Sequence, residues 1–174
     1  MASEPLSFSR AELTALLFKA GRGAGLPLAH AEDLGRAVGR YGDEAAFDAA
    51  LRSLAAPWSA IDLQMDGTQI TIKNARAIQA LGHVPEALEA GAEQVTLCSL
   101  DEPALIACFL QGFDVAAQQD GAHWHFRKGQ AAPLVTAKPP RADQIESLEA
   151  YAARTYVPAS ATSRSGAGQG ADQD

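Results

Sequence analysis

A chain of 174 residues and 18.2 kDa is the size of one domain, large enough to bury a core without disulfide or metal staples. At 47% hydrophobic and 20% charged residues it has the composition of a globular protein, not of a disordered or fibrous one. Lys and Arg number 14 against 21 Asp and Glu, and the net charge of −7 is a poor electrostatic match for nucleic acid or an anionic membrane, neither of which is expected as a partner.

Two cysteines, Cys98 and Cys108, supply neither a disulfide framework nor metal-ligand spacing. Residues 1–10 hold no apolar signal core, and the longest strongly apolar run, Ala104 to Leu110, is too short to span a bilayer. A soluble cytoplasmic protein is expected.

The first element is signalled at Phe8-Ser9-Arg10-Ala11-Glu12-Leu13. Ser9 can cap the amide of Glu12 while Glu12 reaches back, and Phe8 can staple onto Leu13. Leu13, Leu16, Leu17 and Ala20 then recur at helical spacing as a core face. Gly21-Arg22-Gly23-Ala24-Gly25 predicts the stop, and Pro27 suits the first turn of a second helix with a buried stripe of Ala31, Leu34, Val38 and Tyr41. Along its flank Ala31, Gly35 and Gly39 repeat every four residues. Each glycine costs about 1 kcal/mol relative to alanine in a helix, so a neighbouring helix is expected to approach closely there. Glu32, Asp33, Arg36 and Arg40 read as a salt-bridged helix surface. After Gly42-Asp43, Phe47, Leu51 and Leu54 mark a third helix, and residues 1–55 form a helical segment.

From Ala60 the period becomes alternating. Ile61, Leu63 and Met65 precede Asp66-Gly67, and Ile70 and Ile72 follow. With Asp66-Gly67 as the two-residue tip, Met65 pairs with Thr68, Leu63 with Ile70 and Ile61 with Ile72, all on one face. Asn74 is expected to cap a helix through Leu81, with Pro85 to Ala90 adding another turn or two. Val95 to Cys98 read as a buried strand, and Asp101 as the start of a helix that carries Leu105, Ile106, Phe109 and Leu110 and ends at Gly112. A second hairpin turns at Asp120-Gly121. Its register puts Phe113, Val115, Ala117, Trp124 and Phe126 on one face, with Asp114 opposite Arg127 on the other. Ile145, Leu148, Tyr151 and Ala152 mark a last helix.

The fold class is α+β: an N-terminal helical segment, then a mixed sheet built from two Asp-Gly hairpins and one or two further strands, with helices on its apolar face. Residues 1–157 make one domain, and residues 158–174 a Gly/Ser-rich tail.

Three segments carry candidate chemistry. His123 and His125 lie at i and i+2 and point the same way from a strand, as some metal sites begin, yet no third ligand follows at a useful spacing. Two surface histidines are the plainer reading. Gly166-Ala167-Gly168-Gln169-Gly170 lacks the strand and helix of a dinucleotide fingerprint. Its amides, beside Ser160, Ser163 and Arg164, suit a phosphate or carboxylate, although on composition a solvated tail is the plainer reading. Arg22, between glycines, is either part of a helix stop or a second cationic wall for that anion. Cys98 and Cys108 read as buried thiols. No Gly-x-Ser-x-Gly elbow, Walker loop or paired-cysteine zinc spacing is present.

The segments 8–12, 19–27 and 31–38, and at the other end Thr155-Tyr156-Val157-Pro158-Ala159-Ser160, Ser163-Arg164, the glycine run and the closing Asp172 and Asp174, carry a likeness. There the chain resembles the bacterial family known as domain of unknown function 3726, over about the first forty and last twenty residues. Gln169 and Gln173 depart from its pattern. The resemblance implies that the tail belongs to the domain and supplies no activity or cofactor. The N-terminal stretch is also similar to the helical start of the malate/lactate dehydrogenases that lack a Rossmann fold, though the likeness ends before any catalytic residue.

The expected function is binding of a small anionic ligand, as a domain that stands alone or serves an enzyme, with Arg22, Ser160, Ser163, Arg164, Gly166 and Gly168 as contacts. The alternative is a non-catalytic interaction module or homodimer in which the tail and the Ala31/Gly35/Gly39 ridge form the interface.

Overall fold

Ser9 and Glu12 close a reciprocal cap at the start of the first helix, α1 (Arg10–Gly23): the Glu12 amide donates to Ser9 Oγ at 3.2 Å, and the Glu12 carboxylate accepts from the Ser9 amide at 2.8 Å. The computed structural model describes residues 8–56, 60–74, 76–130 and 136–155. Two further helices follow, α2 (Leu28–Tyr41) and α3 (Glu44–Ala55), the latter capped by Asp43, whose carboxylate accepts from the Ala46 amide at 2.9 Å.

The glycine-rich stop works differently from its sequence expectation. Helix α1 runs through Gly21 and Gly23, and only Gly25, at φ +91°, leaves the helix. The Gly25 amide bonds to Arg22 O and the Leu26 amide to Gly21 O, at 3.0 and 2.9 Å, which is the pairing of a Schellman cap. Gly21 and Gly23 instead admit neighbours. A β-carbon on Gly21 would lie 3.1 Å from Ala31 Cβ. One on Gly23 would overlap the Tyr151 carbonyl of the last helix, α7 (Ala142–Ala153).

The close approach expected along Ala31, Gly35 and Gly39 is present, and the neighbour is α1 of the same chain. A β-carbon on Gly35 would meet Thr14 O at 2.8 Å, and one on Gly39 would meet Thr14 Cα at 2.6 Å. The ridge is therefore buried inside the fold, which removes it as a surface for a partner helix. Pro27 stands at the N-cap of α2, one position before the first turn.

Helix α7 completes the helical layer through α1 and α3. Ile145 and Leu148 enter the core. Buried Gln144 donates to Glu44 O at 3.0 Å and to Asp48 Oδ1 at 2.7 Å, while Arg141 adds ion pairs to Asp48 at 3.0 Å and to Glu44.

The five-stranded sheet has the order β1-β2-β3-β5-β4, with β1 (Asp62–Asp66), β2 (Gln69–Lys73), β3 (Gln94–Cys98), β4 (Val115–Asp120) and β5 (His123–Lys128). Only β2 and β3 are parallel, joined through two short helices, α4 (Ala77–Ala80) and α5 (His83–Glu89). Between β3 and β4 come a 3₁₀ turn at Pro103–Leu105 and α6 (Ile106–Phe109). Ile72, Val95, Leu97, Phe126 and Val115 form the buried inner face and share one core with the helices.

Both hairpins stand where the sequence puts them, but each register is displaced by two residues. Asp66 pairs with Gln69, Met65 with Ile70 and Leu63 with Ile72; likewise Asp120 pairs with His123 and Ala116, not Asp114, with Arg127. The tips are Gly67-Thr68 and Gly121-Ala122, with φ positive at each glycine (+57° and +58°) and not at the residue after it. That is the type II′ demand for glycine at the first central position, not the Asp-Gly demand of type I′. A shift of two preserves which side chains share a face.

Two caps also move. Asn74 adopts φ +57° in the turn after β2, and Arg76 holds the N-cap of α4. Asp101 does not open its own helix: its carboxylate accepts from the Ala77 amide at 2.8 Å and pairs with Arg76 at 3.3 Å, and helical geometry resumes at Pro103.

Two outcomes follow from this packing. Gly39→Ala should destabilise the fold in urea unfolding by about 1–3 kcal/mol through overpacking, against the roughly 1 kcal/mol gain expected at an unhindered helix site; a more stable variant would contradict the contact. Hydrogen bonds from Gln144, then Arg141, hold the Asp48 carboxyl below its ordinary 3.8. A carboxyl depressed in the folded state adds stability above its ordinary pKa that is lost as pH falls through the folded value. Asp48→Asn should therefore flatten the fall of the melting temperature between about pH 5 and pH 3, with the slope from Glu12 and Asp143, depressed in the same direction, remaining.

Candidate functional site

The C-terminal end of α1 places Arg22 in a hollow of about 340 Å³ with Phe18, Lys19 and Thr155, while its guanidinium donates to Leu26 O. Part of its function is thus the helix stop. Thr155, beside Arg22, is the last described residue before the tail. Ser160, Ser163, Arg164, Gly166 and Gly168 lie outside the described residues.

His123 and His125 project from β5 on the outer face of the sheet, their ring centres 6.4 Å apart. His125 Nδ1 lies 3.1 Å from Thr96 Oγ1 and 3.3 Å from Gln94 Nε2, and Arg127 Nε donates to Gln94 Oε1 at 2.6 Å. His123 stands between Cys98 and Asp120 in register. Among the described residues no group of three or more His, Cys, Asp or Glu side chains is arranged to hold a metal ion. The half-buried Cys98 lies on this face, whereas Cys108 is buried in α6 and burial pushes its thiol up to about 12, which makes it a poor nucleophile.

A further candidate lies where α1 and α2 cross. Beside that contact an open trough of about 720 Å³ runs between the two helices, a volume in the range of small-molecule sites. Its floor is largely apolar, with Ala11, Ala15 and half-buried Phe18 beside the Thr14 hydroxyl. Arg10, Arg36 and Arg40 stand on its rim, opposed by Glu32 and Asp33. Arg36 and Arg40 also edge a smaller hollow of about 220 Å³ reaching Tyr41 and Phe109.

The three cations are held in different ways. Arg36 pairs with Asp33 at 2.6 Å. Arg10 is clamped to backbone, to Arg40 O and, at 3.4 Å, to Ala137 O. Arg40 lies 5.7 Å from the centre of the Tyr41 ring. Among the described residues neither Arg10 nor Arg40 forms an ion pair. Two guanidinium groups without carboxylate partners, over an apolar floor, can take a carboxylate or phosphate while the floor takes hydrocarbon.

Sequence reasoning named Arg36 and Arg40 only as a salt-bridged surface, which holds for Arg36. It missed Arg10, 30 residues away in sequence, because only the helix crossing brings it to the Arg40 carbonyl. The signal that pointed there was the glycine spacing on α2. A second hollow, of about 700 Å³, lies between α5 and the β4–β5 hairpin, but Glu89 and Asp114 face it with only Lys128 to oppose them, the wrong balance for an anion. No helix among the described residues is long and apolar enough to cross a membrane. The chain matches no family model, no curated protein and no solved structure.

Proposed function

We propose that this protein is a small-molecule-binding domain whose ligand is an amphipathic anion, a carboxylate or phosphate on a short apolar body, seated between α1 and α2. The observation that carries the reading is the pair of Arg10 and Arg40, free of carboxylates among the described residues, above the Ala11, Ala15 and Phe18 floor. On a chain of net charge −7 such a local cationic rim over apolar surface is the feature that most favours an anion. Burial of the hydrocarbon supplies affinity, and the guanidinium groups set orientation and select for negative charge. The anion-binding expectation from sequence is kept; its principal contacts move from the tail to Arg10, Arg36 and Arg40. Arg22, with Lys19, is a second basic point at the far end of α1, where Ser160, Ser163, Arg164, Gly166 and Gly168 would add to the site if the tail folds back. The resemblance to domain of unknown function 3726 belongs to this proposal as well and adds no chemistry to it.

The test is a thermal-shift series with decanoate, citrate, inorganic pyrophosphate and adenosine monophosphate. A ligand at a hundred times its dissociation constant adds about 2.7 kcal/mol, a rise of roughly 5–10 °C in the melting temperature of a domain this size. Arg36→Ala/Arg40→Ala should remove the rise while leaving the unliganded melting temperature within a few degrees, and His125→Ala should leave the rise intact. A rise retained in the double variant, or none with any of the four anions, contradicts the site. A rise lost in Arg22→Ala but kept in the double variant would return it to the tail.

A further inference from the structure

Three of the four large apolar side chains that stand exposed among the described residues lie together: Ile61 at 37%, Leu63 at 52% and Met65 at 68% exposure. Leu63 and Met65 lie on β1, an edge strand with no outer neighbour among the described residues and every residue exposed, and Ile61 directly precedes it. The opposite edge, β4, carries no exposed large apolar side chain and buries Val115. Edge strands that stay unpaired are ordinarily blunted by lysine, proline, bulges or inward-pointing charge. β1 has none of these on its inner face; its two aspartates, Asp62 and Asp66, both point outward with Gln64.

The backbone is also set for pairing. Asp66 and Gln69 close a two-residue hairpin and so exchange backbone hydrogen bonds. Alternation along the ladder then turns the N–H and C=O groups of Leu63 and Met65 away from β2 and out of the sheet edge.

We infer that β1 is a dimerisation edge, joining antiparallel to β1 of a second copy across a two-fold axis at Leu63. A two-fold contact must be complementary to itself, and charge together with apolar pairing selects the register. Centred on Gln64, Asp62 of each copy would stand directly opposite Asp66 of the other, on one face, which is destabilising. Centred on Leu63, Ile61 meets Met65, Leu63 meets Leu63, Asp62 meets Gln64 and Asp66 meets Ala60, so no two carboxylates oppose. The three apolar side chains of each copy then close one continuous row, and the outward N–H and C=O groups pair with their equivalents. The result is a ten-stranded sheet whose inner face continues from one copy to the other. The anion trough lies on a different part of the molecule, on α1 and α2, so this inference does not depend on it.

The test is the solution mass of the full chain by light scattering from micromolar to millimolar concentration, with Leu63→Asp as the disrupting variant. A mass approaching twice 18.2 kDa in the native chain, returning to the single-chain value in Leu63→Asp with an unchanged melting temperature of the monomer, supports the edge. Leu63 is exposed, so the substitution leaves the core untouched. Mild oxidation reads the register in a Cys98→Ser background: Leu63→Cys should cross-link to its own copy in high yield and Gln64→Cys should not, since residues directly opposite in a ladder lie within disulfide reach. A monomer throughout the range, a dimer that survives Leu63→Asp, or cross-linking through Gln64→Cys instead overturns the inference.

Discussion

The crossing of α1 and α2 is the contact on which the helical layer depends. Gly35 and Gly39 let the Thr14 segment approach so closely that even a methyl group on α2 would collide with backbone, and Gly21 gives the same latitude at the other end of the crossing. Such contact maximises dispersion between the helices, and it also sets where their outward side chains stand. Arg10 comes to the Arg40 carbonyl, and the groove above the contact acquires the alanine and phenylalanine floor that distinguishes it from an ordinary charged helix surface. Glycines that weaken α2 as an isolated helix are therefore what let the two helices meet backbone to backbone.

The same economy of space governs the other side of α1. Gly23 accepts the Tyr151 carbonyl of α7, and α7 is tied to α3 by polar groups, not by further close packing. Gln144, fully buried, has its amide nitrogen on Glu44 O and Asp48 and its oxygen on the Arg141 amide, so each of its polar atoms is satisfied. The exposed Arg141 pairs around it are worth little singly; the buried amide is what fixes how α7 lies on the bundle. Through α7 the described chain ends at Thr155, beside Arg22.

Local features were the legible ones. The Ser9–Glu12 cap and the Asp43 break lie within a few residues in sequence and stand as read, as do the helical stripes, apart from Leu16, Tyr41, Leu51 and Tyr151, which are only half-buried. The hairpins were legible as faces but not as registers: a displacement of two leaves Leu63, Met65, Ile70 and Ile72 together, so alternation alone cannot choose between the tips Asp66-Gly67 and Gly67-Thr68. Caps supplied from a distance were hidden. The Ala77 amide finds Asp101, 24 residues on, and Asp101 looked from sequence like the start of its own helix. The trough was hidden for the same reason, since Arg10 and Arg40 meet only through the crossing. Glycine spacing announced that crossing without naming the helix that fills it.

The central claim is that the crossing of α1 and α2 makes an anion site. The most direct measurement is a backbone amide shift map by NMR as decanoate and then pyrophosphate are added to the isotope-labelled chain. Saturating shifts confined to residues around Arg10, Thr14, Phe18, Arg36 and Arg40, with the outer sheet face around His125 unmoved, are the predicted result. Shifts centred on the sheet, or none that saturate, would contradict it.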